Sequence, residues 1–182
     1  VGLGNPGVEY MLTRHNAGIV LVDKMSNVQY PMSNNYGWRK HYDALIYKTP
    51  DLVLVKSKDV FMNESGRLLT SPPAPLLISG EGSNLYVAHD DLDIRLGEYK
   101  IQKGKGPKDH HGVESVERAL GTKDFWRIRI GIDNRVQGSR FKVQGEEYVL
   151  QKFTPEEKII LENTLDAIVK AINTNQESGR QK

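Results

Sequence analysis

Histidine, aspartate and asparagine recur in this chain in arrangements suited to moving a proton or gripping a carbonyl. Thr13-Arg14-His15-Asn16 sets a histidine where a loop gives way to a helical pattern. His89-Asp90-Asp91-Leu92-Asp93 follows the short apolar run Leu85 to Ala88, which reads as a buried strand. Imidazole is the natural base at neutral pH, with an unperturbed pKa of ~6.5, and a carboxylate leaving a strand end can orient it. In open α/β sheets such strand ends form the ligand crevice. Phe61-Met62-Asn63-Glu64-Ser65-Gly66 adds an amide. Asn63 can donate to a carbonyl oxygen and accept from an N–H, which suits a peptide main chain. Each cluster also has an ordinary reading: a histidine at the surface or at a cap, and Asn63 as a helix cap.

A metal site is the competing chemistry, drawn from Asp90, Asp91, Asp93, His110 and His111, because aspartate and histidine together ligate zinc or manganese. Neighbouring side chains on a strand point to opposite faces, so Asp90 and Asp91 do not readily share one ion. Gly2-Leu3-Gly4-Asn5-Pro6-Gly7 matches the G-x-G-x-x-G of dinucleotide-binding turns, but its context differs. Pro6 and the segment from Val8 to Arg14 read as a structured loop where a helix should open at once. The acidic residue expected ~20 residues on, at the end of a second strand, is met only by Asp23 inside an apparent helix.

The elements that must position these groups alternate between strand and helix. Val1 to Gly4 reads as the tail of a strand, and a helix runs from about Asn16 toward Val28. Beyond the polar stretch Ser33 to Gly37, Tyr42 to Tyr47 and Leu52 to Val55 are strand-like. Ser65 to Leu69 begins a helix that Ser71-Pro72-Pro73-Ala74-Pro75 stops. A Gly/Lys loop from Lys103 to Lys108 leads to a helix near Val113 to Leu120 that Gly121 can terminate, and Arg127 to Ile132 alternates as a half-covered strand. Thr154-Pro155-Glu156-Glu157 supplies an N-cap, a proline at the first helical position and an acid at the third, opening a helix with an apolar stripe through Ile172. The pattern predicts a single α/β domain over residues 1–175, a twisted mixed sheet with helices on both faces, and a polar, disordered tail over 176–182.

Composition narrows the function class. Lys plus Arg is 25 against 23 Asp plus Glu, a net charge of +2, too weak to indicate nucleic acid or membrane binding by bulk charge. Cysteine is absent, which removes thiolate nucleophiles and Cys zinc sites and suits a reducing intracellular compartment. No apolar run approaches the ~18 residues of a membrane span. The chain opens on Val1 without a methionine, so further residues are expected before it.

Taken together, V-G-L-G-N-P-G-x-E-Y-x-x-T-R-H-N-A-G at Val1 to Gly18, F-M-N-x-S-G at Phe61 to Gly66 and A-H-D-D-L-D-x-x-x-G at Ala88 to Gly97 resemble the bacterial-type peptidyl-tRNA hydrolase family. H-x-G-V-x-S-V at His110 to Val116 and D-F-x-R-I-R-I-G-I at Asp124 to Ile132 continue the resemblance in order. It implies a monomeric, metal-independent and cofactor-free α/β esterase, cytoplasmic or, in a eukaryote, mitochondrial. Such an enzyme frees the peptide from the 3′-terminal ribose of peptidyl-tRNA and so recycles tRNA from aborted translation. In that family the histidine matching His15 is the base on water and the aspartate matching Asp90 orients it. The asparagines matching Asn5 and Asn63 hold the peptide main chain and the water or oxyanion, with Tyr10 and Met62 lining the cleft. The resemblance also implies acceptor-stem phosphate contacts from Arg129 and a lysine near the following loop. Gln102 stands at that lysine's place, leaving Lys100, Lys103, Lys105 and Lys108 as the basic candidates. His111 stands where the family carries a substrate-positioning asparagine, and Pro107 stiffens the lid before it. These departures suggest a divergent eukaryotic or organellar member. A non-catalytic RNA-binding relative is the alternative reading.

Overall fold

The computed structural model describes residues 1–29, 36–70, 84–107, 109–135 and 144–179, with the side chains of 28–29 and 175–179 excepted. Lys108, the proline run at 72–75 and most of the polar stretch from 33 lie outside the described residues. Strands β1 (Arg39–His41), β2 (Ala44–Lys48) and β3 (Val53–Ser57) form an antiparallel meander. Strand β4 (Tyr86–Arg95) runs parallel to β6 (Trp126–Asp133), whose other edge carries β5 (Tyr99–Lys103) antiparallel. Residues 1–3 join the two halves into one mixed sheet. Gly2 bridges in parallel to both Lys56 of β3 and Ala88 of β4, and Leu3 N–H donates to the Ala88 carbonyl at 2.9 Å.

Helices cover both faces, as the alternating pattern predicts. On one face α1 (Ala17–Gln29) and the long α5 (Pro155–Gly179) pack Leu21, Val22, Leu165 and Ile168 against Ala88, Ile128, Ile130 and Ile132. On the other, α2 (Arg67–Thr70) and α3 (His111–Leu120) close Leu69, Val113 and Val116 over Leu3, Val87 and Phe125. A short helix α4 (Gly145–Val149) precedes α5. Fully burying one such aliphatic side chain is worth roughly 1.5–3 kcal/mol, so these two layers hold the sheet between them. Helix α1 reaches the N-terminal strand because two glycines face each other. A Cβ on Gly2 would lie 2.3 Å from the Gly18 carbonyl oxygen, and one on Gly18 would lie 2.2 Å from that of Ala88. That close approach fixes the turn just before α1, which carries His15.

The capping box is formed as its spacing predicts. Thr154 N–H donates to Glu157 Oε2 at 2.9 Å and Glu157 N–H to Thr154 Oγ1 at 3.3 Å. Gly121 ends α3 in the left-handed region, with φ 65°. Several features differ from the sequence reading. The cluster from His89 to Asp93 lies inside β4 rather than beyond its end, because β6 continues the ladder beside it. Tyr42, at φ 46°, is in the turn between β1 and β2 rather than at a strand start. Strand β5 and helix α4 are additional elements, and α5 continues to Gly179 where the sequence suggests a disordered tail from 176. Nothing between Asn173 and Ser178 breaks a helix, and the next glycine is Gly179 itself.

Candidate active site

The strand of residues 1–3 stops at the level of Ala88 while β4 continues, so the edge of β4 beyond Ala88 opens a notch reachable from both helical layers. A 3-10 turn, Arg14–Asn16, runs straight into α1. Its three residues reach three different partners. Arg14 pairs with Glu157 at the start of α5. His15 meets Asp90. Asn16 binds the backbone of Asn5 twice, accepting from its N–H at 2.8 Å and donating to its carbonyl at 2.9 Å.

Asp90 is the hub. His15 Nδ1 lies 2.9 and 3.0 Å from its two carboxylate oxygens, and His110 Nε2 lies 3.1 Å from Oδ1. Burial would raise the Asp90 pKa, but the closeness and hydrogen bonds of His15 and His110 hold its carboxyl well below the usual range. An ionised carboxylate only accepts, so the His15 Nδ1 carries the proton and Nε2 is left as the basic atom. Burial works against a charged His15 ring, yet the Asp90 charge and hydrogen bond outweigh it and hold its pKa above the ordinary histidine value. His110 also caps α3, its Nδ1 accepting from Val113 N–H at 3.3 Å, so the proton it gives Asp90 sits on Nε2.

His89 lies behind this pair, fully buried, with its ring 4.9 Å from that of His110 in a T-shaped contact. Its Nδ1 donates to the Asp90 carbonyl at 2.7 Å and its buried Nε2 has no partner among the described residues. Burial, aided by His110, pushes its pKa down to about 3. His89 is therefore a neutral packing residue, not a second base.

On the opposite wall, Asn5 accepts from Met62 N–H through Oδ1 at 2.8 Å. Its Nδ2 has no partner among the described residues and is a free donor at the notch. Met62 is buried and its sulfur packs so closely on α3 that a Cβ on Gly112 would meet it at 2.4 Å. Asn63 is exposed on the 3-10 turn Met62–Glu64, and His111 is exposed at the first position of α3. Tyr10 stands edge-on to Phe61, ring centroids 6.0 Å apart, as a side wall. His15 is thus joined to Asp90 and Asn5 to Met62, and Asn16 ties Asn5 to the turn that carries His15.

The basic residues are less unified. Arg129 is held inside the sheet face, donating through Nε to Asp91 at 2.7 Å and through Nη1 to Gln102 at 3.0 Å. Arg127 is buried against Glu117. The register puts Lys100 opposite Arg129 on the same face, whereas Lys103 pairs with Trp126 on the other face and contacts Asp124. Lys105 is exposed in the loop that follows β5.

A metal at this site would draw on a different set from the one considered above. The ligand atoms of His15, Asp90 and His110 lie within 4.8 Å of one another. Asp91 points away to Arg129 and to the Asp93 N–H. Both histidines turn a proton toward Asp90, and an ion between them would have to displace both protons. The hydrogen bond from His110 to Asp90, the two reciprocal hydrogen bonds between Asn16 and Asn5 and the Arg14–Glu157 pair are not legible as site features in the sequence. The nearest signal is the placement of His110 immediately before a helix start.

Comparison with known proteins identifies the family. The family model described as peptidyl-tRNA hydrolase matches residues 1–182. The peptidyl-tRNA hydrolase of Geotalea uraniireducens is 38% identical over 173 residues, covering 93% of this chain and 84% of that one. That of Corynebacterium efficiens is 34% identical over 178 residues, covering 96% and 95%. The crystal structure of peptidyl-tRNA hydrolase from Acinetobacter baumannii superposes with a TM-score of 0.75 at 26% identity, covering 98% of this chain and 89% of that one. With sequence and fold in agreement, the chain belongs to the peptidyl-tRNA hydrolase family.

Proposed function

We propose that this chain hydrolyses the ester joining a peptide, or an N-blocked amino acid, to the 3′-terminal ribose of tRNA, with His15 as general base. The observation that carries the reading is the His15 Nδ1–Asp90 hydrogen bond, which leaves Nε2 as the basic atom. His15 Nε2 takes a proton from water, the hydroxide attacks the ester carbonyl, and the tetrahedral oxyanion collapses as the ribose 3′-oxygen leaves with the proton from His15. A placed base of this kind contributes roughly 10²–10⁴ in rate. Asn5 Nδ2 and Asn63 are the donors for the oxyanion and the peptide main chain, and one such donor is typically worth ~10²–10³ in kcat. Tyr10 and Met62 line the peptide side, and His111 stands at its rim.

Lys100 and Lys105 meet acceptor-stem phosphates. Such contacts position the substrate without reading sequence. Arg129 joins them only as far as a phosphate competes with Asp91, and Lys103 contributes from the far face. The chain works as a monomer in the compartment where tRNA is used, which for a bacterial source is the cytoplasm. The test is release of N-acetylated amino acid from tRNA. Release by the wild-type chain, unchanged by EDTA, is expected. Tight tRNA binding with no release would leave an RNA-binding protein, and loss of release on chelation would assign the His15–Asp90–His110 cluster to a metal.

A further inference from the structure

Three separate segments end on one carboxylate at the back of the site. Glu157 accepts Arg14 Nη2 at 2.9 and 2.7 Å, the Thr154 N–H at 2.9 Å and Asn134 Nδ2 at 3.2 Å. Arg14 is only 4% exposed, and its guanidinium lies 4.3 Å over the Tyr148 ring and 4.9 Å from that of Phe153. The backbone on either side is stitched to the same region. Arg14 N–H donates to the Gln151 carbonyl at 3.0 Å, Thr13 bridges to Lys152, and Phe153 N–H donates to the Leu12 carbonyl at 3.4 Å. His15 is the next residue of the same turn.

This arrangement is a poor way to gain stability. Among the described residues, Arg14 Nε and Nη1 are buried with no hydrogen-bond partner, and replacing a buried ion pair by apolar residues is often neutral or stabilising. What an apolar contact cannot supply is a directed link of fixed length between the start of α5 and the turn that bears His15. We propose that the Arg14–Glu157 pair is a positioning device for His15: Glu157, acting through Arg14, sets the turn so that the imidazole meets the Asp90 carboxylate. The kinetic consequence rests on the reading of His15 as the base, whereas the geometric one does not. Neither Arg14 nor Glu157 touches the notch, so the effect belongs in kcat and not in KM.

The experiment compares wild type with Glu157→Gln and with the double variant Arg14→Met/Glu157→Met. Thermal unfolding, hydrolysis of N-acetylaminoacyl-tRNA and the NMR signal of the His15 Nδ1 proton are recorded for each. Glu157→Gln leaves a buried cation without its counter-charge and lowers Tm, and the double variant regains it. Although restored in Tm, the double variant is expected to keep a kcat at least about tenfold below wild type, with KM within about twofold, because displacement of a catalytic group by a fraction of an ångström is costly. Its Nδ1 proton signal is expected to shift or broaden away from the Asp90-bonded position. A double variant with wild-type kcat and an unmoved Nδ1 signal would make the pair merely structural and overturn the proposal. If the double variant does not fold, Arg14→Lys carries the same readouts: a moved signal supports the device, and an unmoved signal with full kcat overturns it. Should wild type itself release no product, the functional reading falls, while the Nδ1 comparison still decides the positioning claim.

Discussion

At the scale of single residues, the site turns on one carboxylate serving two histidines. Because Asp90 holds the His15 pKa above its ordinary value, and the neutral imidazole is the working base, kcat/KM should rise with pH through an acid-side pKa above ~6.5. A pH–rate profile on an N-acetylaminoacyl-tRNA checks this, and a flat profile between about pH 5 and 8 contradicts it. Asp90→Asn keeps the shape but offers an amide that can donate to Nδ1, turning the proton to Nε2 and removing the base. We expect kcat to fall roughly 10³–10⁴-fold with unchanged tRNA binding, by analogy with the loss when a triad aspartate is neutralised. These roles were legible because histidine, aspartate and asparagine carry their chemistry in their identity. The role of His110 was not, since only the fold shows that a helix-capping ring also reaches Asp90.

At the scale of elements, short connections do the placing. The strand of residues 1–3 ends early and opens the notch, the Arg14–Asn16 turn distributes three contacts, and Gly18 lets α1 sit on the sheet. Gly18→Ala separates two opposing effects. Helix propensity alone favours alanine by about 1 kcal/mol. The new Cβ would lie 2.2 Å from the Ala88 carbonyl oxygen and 2.7 Å from that of Leu3, both backbone atoms that cannot swing away. Overpacking of this kind typically costs 1–3 kcal/mol, so chemical denaturation should show a net loss of stability and no gain. Elements whose local signals were strong, the capped α5 and the alternating β6, were readable in advance. Strand β4 was read too short because polar residues disfavour strands locally, and only the neighbouring β6 and the partners of His89, Asp90 and Asp91 offset that.

At the scale of the whole molecule, the same buried histidines set the response to acid. His89 is neutral in the fold with a pKa near 3, against ~6.5 in an unfolded chain. Between those values the unfolded state binds one more proton, so stability should fall as pH drops from about 6.5 to 3, by up to about 1.4 kcal/mol per unit. Asp90, depressed in the fold, adds to the loss below about pH 4. His15 acts in the opposite sense, with its contribution complete below about 6.5 and lost as pH rises through its raised folded value. Unfolding free energies across this range, with His89→Phe flattening the acid side, check the assignment. The central claim, that His15 is the base, is tested most directly by the single-turnover rate of N-acetylaminoacyl-tRNA hydrolysis, measured with enzyme in excess for wild type and His15→Ala. The account predicts a loss of at least about 10²-fold at undiminished tRNA affinity, and equal rates for the two proteins would contradict it.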